Sequence, residues 1–482
     1  MAVKSIKVNA ILNGFRNLLN VVFPLITFPY VSRVLSIDGL GRYSFSYTFV
    51  NYFVLIASMG INNYAIREGS RKRNDKEQIS KFCSQIFSLN MLATVVAYVL
   101  LFACLCLFPA LNKYEVCILI FSISMFFTTL GTDWLYTIYE DFAFVTARTV
   151  IFKLVSLVLL VLFVRHENQY LVYAGITVFS SVGASLLNFI YARRLCRIRF
   201  TIHIDIRKHF RPVIILFAYS IAVALFGNIG MTMLGFLQGT YTVGIFSVSV
   251  KIYEAVKTVL SAVLMVSVPR LSMYLGNKLF TEYRELLSKV FKMLILFTTP
   301  TMIGLLSIST DVAVLLSGQR YARAGQSLAI LSVALLFSVF GWFYNECMLI
   351  PARKELIVLC STFLGAVASM CLNYLLIPVW NENAAAFATV VAEFIQMIIG
   401  VLIGRSIARL QDVRGHLIQV LVACVPIIPL ALIIHQFVGS LFLRIVLTVV
   451  SSVFAYLGIL LALRNDMVLA ELASVRARLH IR

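Results

Sequence analysis

An all-α integral membrane protein is the fold class this sequence predicts, and three observations predict it. The 482 residues are 61% hydrophobic and only 13% charged, whereas charged residues make up about a quarter of a soluble domain. Apolar stretches long enough to cross a bilayer recur along the whole chain, each near the length of about 20 residues that spans a hydrocarbon core. The basic residues between them fall mainly on alternate connections, the pattern left when positive charge resists translocation.

Taken in order, the spans are expected near 9–34, 42–64, 82–108, 115–137, 143–164, 170–192, 212–236, 241–266, 288–310, 324–349, 355–378, 384–404, 415–436 and 440–463. The first carries Arg16 and lacks a small-residue cleavage site, so it reads as a retained span and not a signal peptide. With the N-terminus inside, the cytoplasmic segments hold 29 of the 41 Lys and Arg. The opposite side holds seven: Arg33, Arg42, Lys113, Arg165, Arg320, Arg323 and Arg444. The remaining five, Arg16, Arg148, Lys153, Lys251 and Lys257, fall inside spans. Both termini are therefore expected to be cytoplasmic. The formal net charge of +20 then reflects topology beside anionic lipid headgroups, and no nucleic-acid partner is implied. The nine cysteines have neither metal nor redox spacing, so no disulfide framework, metal or cofactor is expected.

The chain also repeats itself. At an offset of 203 residues, Gly41-Arg42-Tyr43-Ser44 falls on Gly244-Ile245-Phe246-Ser247, and Arg67 falls on Arg270. With small insertions, Ser84 to Phe87 meets Ser288 to Phe291, Trp134-Leu135-Tyr136 meets Trp342-Phe343-Tyr344, and Thr177-Val178 meets Thr389-Val390. These matches predict two similarly oriented six-helix bundles, residues 1–200 and 201–410, with two further spans in 411–482. Repeats of this kind are a transporter architecture.

Polar side chains facing lipid are costly, so a polar stripe at helical spacing points to protein or to a wet cavity. Span one carries Asn9, Asn13, Arg16, Asn17 and Asn20 in steps of three and four, followed by Pro24 and Pro29, where a kink would be natural. Span eight carries Ser247, Lys251, Glu254, Thr258 and Ser261 on one face, and the 203-residue offset puts Ser44, Thr48, Asn51, Leu55 and Ser58 of span two opposite them in phase. Lys251 and Lys257 with Glu254 leave a surplus positive charge, and Arg16 has no acid in its own span, so the expected cavity suits an anion. Tyr43, Tyr47, Tyr52 and Tyr253 offer flat faces and hydroxyls. Asp133, Glu140, Asp141, Arg148 and Lys153 crowd the ends of spans four and five and read as salt bridges at the inner mouth or as a gate. Glu346 and Glu393 are isolated acids in spans ten and twelve, candidates for ion coupling or for burial in protonated form.

Phe28-Pro29-Tyr30-Val31-Ser32-Arg33-Val34-Leu35, Gly39-Leu40-Gly41-Arg42-Tyr43-Ser44-Phe45 and Met59-Gly60-Ile61 leading to Ala65-Ile66-Arg67-Glu68 resemble the opening of Wzx-type O-antigen and polysaccharide repeat-unit flippases. Gly131-Thr132-Asp133-Trp134-Leu135-Tyr136, Tyr139-Glu140-Asp141-Phe142 and Thr146-Ala147-Arg148 are similar to that family's signature between spans four and five. The resemblance implies the V-shaped bundle of the multidrug, oligosaccharidyl-lipid and polysaccharide exporter superfamily. It also implies an undecaprenyl-pyrophosphate-linked oligosaccharide as cargo, moved across a bacterial cytoplasmic membrane. Under that reading Arg16, Lys251 and Lys257, with Glu254 beside them, attract the pyrophosphate. Asn13, Asn17, Asn20, Asn51 and Ser247 solvate sugar hydroxyls, and Asp133, Arg148, Glu346 and Glu393 serve coupling or gating. Partners would be the lipid-linked glycan, the bilayer and glycan assembly enzymes.

Three rivals differ in what they need. A cation-coupled drug exporter of the same superfamily would place acids deep in spans one and two, where this chain has Arg16 and asparagines. A membrane-bound polymerase or ligase would need a sizeable outer loop bearing a catalytic cluster, and the outer connections are short. A lipid II flippase shares the cationic logic and differs in motif wording.

Overall fold

A computed structural model of the chain describes residues 6–201, 206–470 and 473, with the side chains of 6–11, 13, 17, 21, 206–216 and 219 outside the description. Every regular element among the described residues is helical. The helices are α1 (Ile6–Val34), α2 (Ile37–Ser58), α3 (Ile61–Ser70), α4 (Lys76–Leu107), α5 (Glu115–Gly131), α6 (Asp133–Ile138), α7 (Phe142–Phe163), α8 (Tyr170–Leu195), α9 (Ile206–Leu237), α10 (Thr240–Gly276), α11 (Phe280–Ser317), α12 (Ala324–Tyr344), α13 (Glu355–Trp380), α14 (Glu382–Gly404), α15 (Val413–Cys424), α16 (Ile427–Phe437) and α17 (Leu441–Ala462). Among the described residues thirteen helical segments are long and apolar enough to cross a membrane. The 29-residue α1, part of whose side chains are outside the description, is about 44 Å long at 1.5 Å per residue. The chain is thus a multi-pass membrane protein, as its composition predicts.

Several expected spans are broken where local chemistry demands it. Span two ends at Met59 and Gly60, both in the left-handed region, and resumes as α3. Span four breaks at Thr132, also left-handed, between α5 and α6. Span thirteen divides at Pro426, which cannot donate to the helix ladder. Pro24 and Pro29, by contrast, sit inside a helix that runs continuously through them. Outside the spans, Asp75 caps α4 by accepting from the backbone N–H groups of Gln78 and Glu77, each at 3.0 Å, and these bonds hold its carboxyl below the usual range.

The chain forms two compact units, Met1–Ser247 and Val248–Arg482, so that α10 begins in one and continues in the other. In the first unit, α1 and α7 run the same way in fixed register. Thr146 Oγ1 donates to Leu12 O at 3.2 Å, Lys153 Nζ to Leu19 O at 3.0 Å and Tyr30 Oη to Val164 O at 2.9 Å, each pair 134 residues apart. A constant difference is possible only for parallel, aligned helices, and spans one and five therefore cross in the same direction. In the second unit α15, α16 and α17 lie along α11. His416 pairs with Lys292 O at 3.0 Å, Tyr456 Oη donates to Leu296 O at 2.7 Å and Arg444 reaches Asp311 at 3.1 Å.

The internal repeat reappears as contacts. Ser84 Oγ of α4 accepts the backbone N–H of Arg199 at 3.1 Å, and Ser288 Oγ of α11 accepts that of Gln411 at 3.0 Å. Ser84 and Ser288 are the residues the sequence aligns, and Arg199 and Gln411 stand 212 apart, the separation of Thr177 and Thr389. In each unit, then, the segment following the sixth span is strapped to the third. Tyr136 Oη likewise donates to Asn188 O, while its counterpart Tyr344 is packed against Gly400.

A second trace of the repeat lies within the first unit. A Cβ on Gly41 would meet Thr240 O at 1.8 Å, and one on Gly244 would meet Ile37 O at 2.2 Å. Ile37 and Thr240 are themselves 203 apart, so the crossing is self-complementary: each glycine admits the backbone of the other's helix start. Backbone at that distance cannot yield as a flexible side chain could. Gly41→Leu is therefore expected to abolish accumulation of folded protein or cost more than about 3 kcal/mol. Gly175→Ala, at a helical position with nothing within 4 Å, should be neutral or stabilising by up to about 1 kcal/mol. Thermal unfolding of purified variants in detergent measures both.

Candidate functional site

Of the span-one stripe, the side chains of Asn9, Asn13 and Asn17 lie outside the description. Arg16 is half-buried, its Nε is enclosed without a hydrogen-bond partner, and no carboxylate pairs with it among the described residues. Asn20 is exposed and its Oδ1 accepts from Lys153 Nζ at 2.8 Å. Lys153 thereby turns toward α1 and not toward Arg148 and the inner-mouth acids, because positions 146, 153 and 164 share one face of α7. Asn51 of α2 is half-buried, with no hydrogen bond among the described residues. Nearby on the same helix, Tyr52 Oη pairs with Thr232 Oγ1 at 3.0 Å and Tyr43 Oη with Thr177 Oγ1 at 3.2 Å, so both hydroxyls are engaged within the bundle. Tyr47 remains exposed.

The α10 stripe divides into parts with different fates. Ser247 is buried and its hydroxyl donates to Gly244 O at 2.7 Å, which removes it from the groups free to solvate a sugar. Thr258 likewise spends its hydroxyl on Glu254 O at 2.7 Å. Lys251 and Glu254 are both exposed and pair at 3.4 Å, an arrangement worth little in water.

Lys257 behaves otherwise. Its ammonium lies 2.7 Å from Glu393 Oε1, and Tyr253 Oη donates to the same oxygen at 3.3 Å. The side chains are 29% and 4% exposed, so this is a buried ion pair joining α10 to α14. Glu393 is therefore not isolated, and the surplus cation expected from Lys251, Glu254 and Lys257 disappears once Glu393 is counted. The pairing spans 136 residues, and no periodicity within one helix could have disclosed it.

Asp133 and Arg148 do come together. Both terminal nitrogens of Arg148 lie 3.4 Å from Asp133 Oδ1, and Arg148 also donates to Ala184 O at 3.0 Å. Asn188 Nδ2 donates to the same carboxylate oxygen. The guanidinium is 7% exposed and the carboxylate 67%, so the knot fastens α6, α7 and α8 from inside while the acid looks outward. Thr132's left-handed turn aims Asp133 at Arg148, which gives the Gly131-Thr132-Asp133-Trp134 signature a structural reason. Arg73 Nη1 meets Glu140 Oε1 at 2.8 Å, and Tyr191 Oη reaches Asp141 Oδ2 at 3.3 Å. Glu346 stands in a one-turn π bulge, Asn345–Leu349, half-buried and without a hydrogen bond or ion pair among the described residues.

Sequence reasoning missed Asp311, which Arg444 reaches at 3.1 Å with His435 Nδ1 at 3.7 Å from its other oxygen. The signal was available in the acid that directly follows the expected end of span nine, with Ala313, Val314, Leu315 and Leu316 continuing the apolar run beyond it. Among the described residues no group of three or more His, Cys, Asp or Glu could hold a metal ion.

Comparison with known proteins assigns this arrangement first to a class and then to a family. The structure matches that of the lipid II flippase MurJ in an inward closed conformation over 96% of this chain and 99% of that one, with a TM-score of 0.74 and 15% identity. It matches an inward-facing multidrug resistance transporter of the MATE family over 80% and 94%, with a TM-score of 0.61 and 16% identity. At such identities the likeness is one of fold, and the chain shares its fold with these two transporters.

The profile of the polysaccharide biosynthesis protein family matches residues 6–275, more than half of the chain, and the chain belongs to that family. This bears out the resemblance read from the amino-terminal motifs. Proteins named for O-antigen transport are 22% identical over 257 residues in Escherichia coli (strain K12), covering 52% of this chain, and 25% identical over 365 residues in Shigella dysenteriae, covering 73% of this chain and 88% of that protein. The first match spans 61% of the Escherichia coli protein, less than two thirds. The capsular polysaccharide biosynthesis protein CapF of Staphylococcus aureus is 23% identical over 392 residues, covering 79% of this chain and 95% of that one.

Two expectations follow. Removing Glu393 leaves the Lys257 ammonium buried without a counter-charge, so Glu393→Gln should destabilise by about 3–5 kcal/mol, whereas Lys257→Met with Glu393→Leu should recover most of the loss. Arg148→Ala should cost about 2–4 kcal/mol by unpinning α8, and Asp133→Asn less, because the carboxylate is largely exposed. Detergent melts of single and double variants check both.

Proposed function

We propose that this protein flips a polyprenyl-pyrophosphate-linked oligosaccharide, such as an O-antigen, capsule or exopolysaccharide repeat unit, from the inner to the outer leaflet of a bacterial cytoplasmic membrane. Family membership, a MOP-superfamily fold and the names of the relatives support the cargo class. One observation within the chain supports the reading further: the spans carry cations, and at least one of them lacks a carboxylate. Arg16 has none among the described residues, and Lys251 stands exposed beside Glu254 at 3.4 Å. A pyrophosphate is a compact anion suited to charge-assisted hydrogen bonds from such groups. Asn20 and Asn51, with Asn13 and Asn17, would meet sugar hydroxyls. Lys257 serves instead to hold α10 on α14, with Glu393 as the candidate for proton uptake when that pair opens. Asp133 and Arg148 fasten the inner mouth, and Glu346 is a second coupling candidate. The distribution of Lys and Arg supports cytoplasmic termini.

The test is transport of a fluorescent undecaprenyl-pyrophosphate-linked oligosaccharide in proteoliposomes, read by accessibility of the glycan to an added quencher or glycosidase. Wild-type protein should translocate it. Lys251→Glu should slow translocation roughly tenfold or more by repelling the headgroup while leaving the melting temperature near wild type. Equal rates in protein-free and protein-containing vesicles would sink the assignment, and an unaffected Lys251→Glu variant would remove the role given to that residue.

A further inference from the structure

The five cations inside the spans differ in how they are neutralised. Arg148 has Asp133, Lys251 has Glu254 and Lys257 has Glu393. Arg16 and Lys153 have no carboxylate among the described residues, and both belong to the seam of α1 and α7. Lys153 Nζ is held by Leu19 O at 3.0 Å, by Asn20 Oδ1 at 2.8 Å and over the Phe23 ring at 5.1 Å. All three partners are neutral and all are on α1. Arg16, Asn20 and Phe23 step by four and three, so Arg16 shares the face to which Lys153 is bound.

The place where Lys153 binds is mechanically weak. Pro24 has no N–H, so the carbonyl of Asn20 lacks its helical donor and the turn between them is loosened. Lys153 grips the same turn at its neighbours, the Leu19 carbonyl and the Asn20 side chain, and leaves the Asn20 carbonyl itself to others. It forms the middle of three rungs joining α1 to α7, between Thr146 to Leu12 and Tyr30 to Val164. Were this rung to let go, α1 could bow between two points that stay tied.

We propose that Lys153 is a second ligand, with Arg16, for a phosphate-class headgroup, and that the anion draws the Lys153 ammonium off α1 and frees the turn before Pro24. This rests on the flippase reading above and names how one site would sense its cargo. The driving difference is chemical: a phosphate carries a full negative charge that attracts the ammonium by Coulomb's law, which a neutral carbonyl or amide oxygen does not. A ligand shifts a conformational equilibrium only through such a difference in interaction with the two states. The lipid's phosphate supplies it, and a neutral prenyl alcohol does not.

Hydrogen exchange of the full-length protein in detergent tests the proposal, with farnesyl pyrophosphate as probe, farnesol as the uncharged control and binding followed separately by native mass spectrometry. Farnesyl pyrophosphate should bind and speed exchange in peptides covering residues 19–28 by roughly tenfold, while farnesol leaves them unchanged. Lys153→Gln should exchange fast in those peptides without any probe and respond little to it, and Lys153→Arg should behave as wild type. Bound farnesyl pyrophosphate with unchanged exchange in α1 would overturn the proposal, as would wild-type protection in Lys153→Gln. If the oligosaccharide is flipped but farnesyl pyrophosphate does not bind, the Lys153 site fails and the flippase reading stands. If the probe binds and loosens α1 but no oligosaccharide is flipped, the site stands and the flippase reading fails.

Discussion

Charge inside an apolar span must find a partner within the protein, and the arrangement of this chain follows from how that demand is met. An ammonium or guanidinium at the centre of a membrane helix costs about 2.5–3.5 kcal/mol on insertion scales. Here the cost is offset in three chemically different ways. Arg148 gathers a carboxylate, an amide-linked neighbour and a backbone carbonyl from two other helices. Lys257 takes a single buried acid. Lys153 settles for carbonyl oxygens and a ring face. The first two fix helices in place, and the third leaves a charge still able to exchange partners.

The division of labour separates rigid from adjustable parts. The knot at Asp133, Arg148 and Asn188 sits among a buried apolar cluster that includes Tyr64, Phe82, Trp134 and Ile138, which makes the end of the first unit near α6 a solid block. The second unit has its own cluster around Leu294, Phe343, Met348 and Tyr456, and α15 and α17 are pinned to α11 by side chain to carbonyl bonds. Against these, α1 touches α7 through a few spaced rungs and carries two prolines. The proposed flipping cycle needs elements of both kinds, because a conformational change requires something stiff to move and something compliant to permit it.

Much of this was legible before any coordinates, and the reason is physical. Span length, loop charge and the repeat are encoded locally, so composition and spacing reveal them. The alignment of Ser84 with Ser288 and of Thr177 with Thr389 holds up at the level of single hydrogen bonds to Arg199 and Gln411. What periodicity cannot tell is which helix a polar face will meet. Glu393 looked isolated because its partner is 136 residues away, and Lys153 looked like part of the inner-mouth cluster because Arg148 is near it in sequence. Ser247 looked available because the stripe on α10 continues through it, yet the side chain is buried and its hydroxyl bonds back to the Gly244 carbonyl of its own helix. Helix faces are written in one segment, whereas partners are written in two.

The constant separation of 134 residues along α1 and α7 constrains how this chain can vary over evolutionary time. At 3.6 residues per turn, deleting one residue between Leu12 and Tyr30 would rotate the remainder of α1 by about 100° and shear it by about 1.5 Å. The rungs on one side of such a lesion could not be kept without forfeiting those on the other. Point changes in this helix can be absorbed one contact at a time, but length changes cannot, so the amino-terminal span should drift in identity among relatives while holding its residue count.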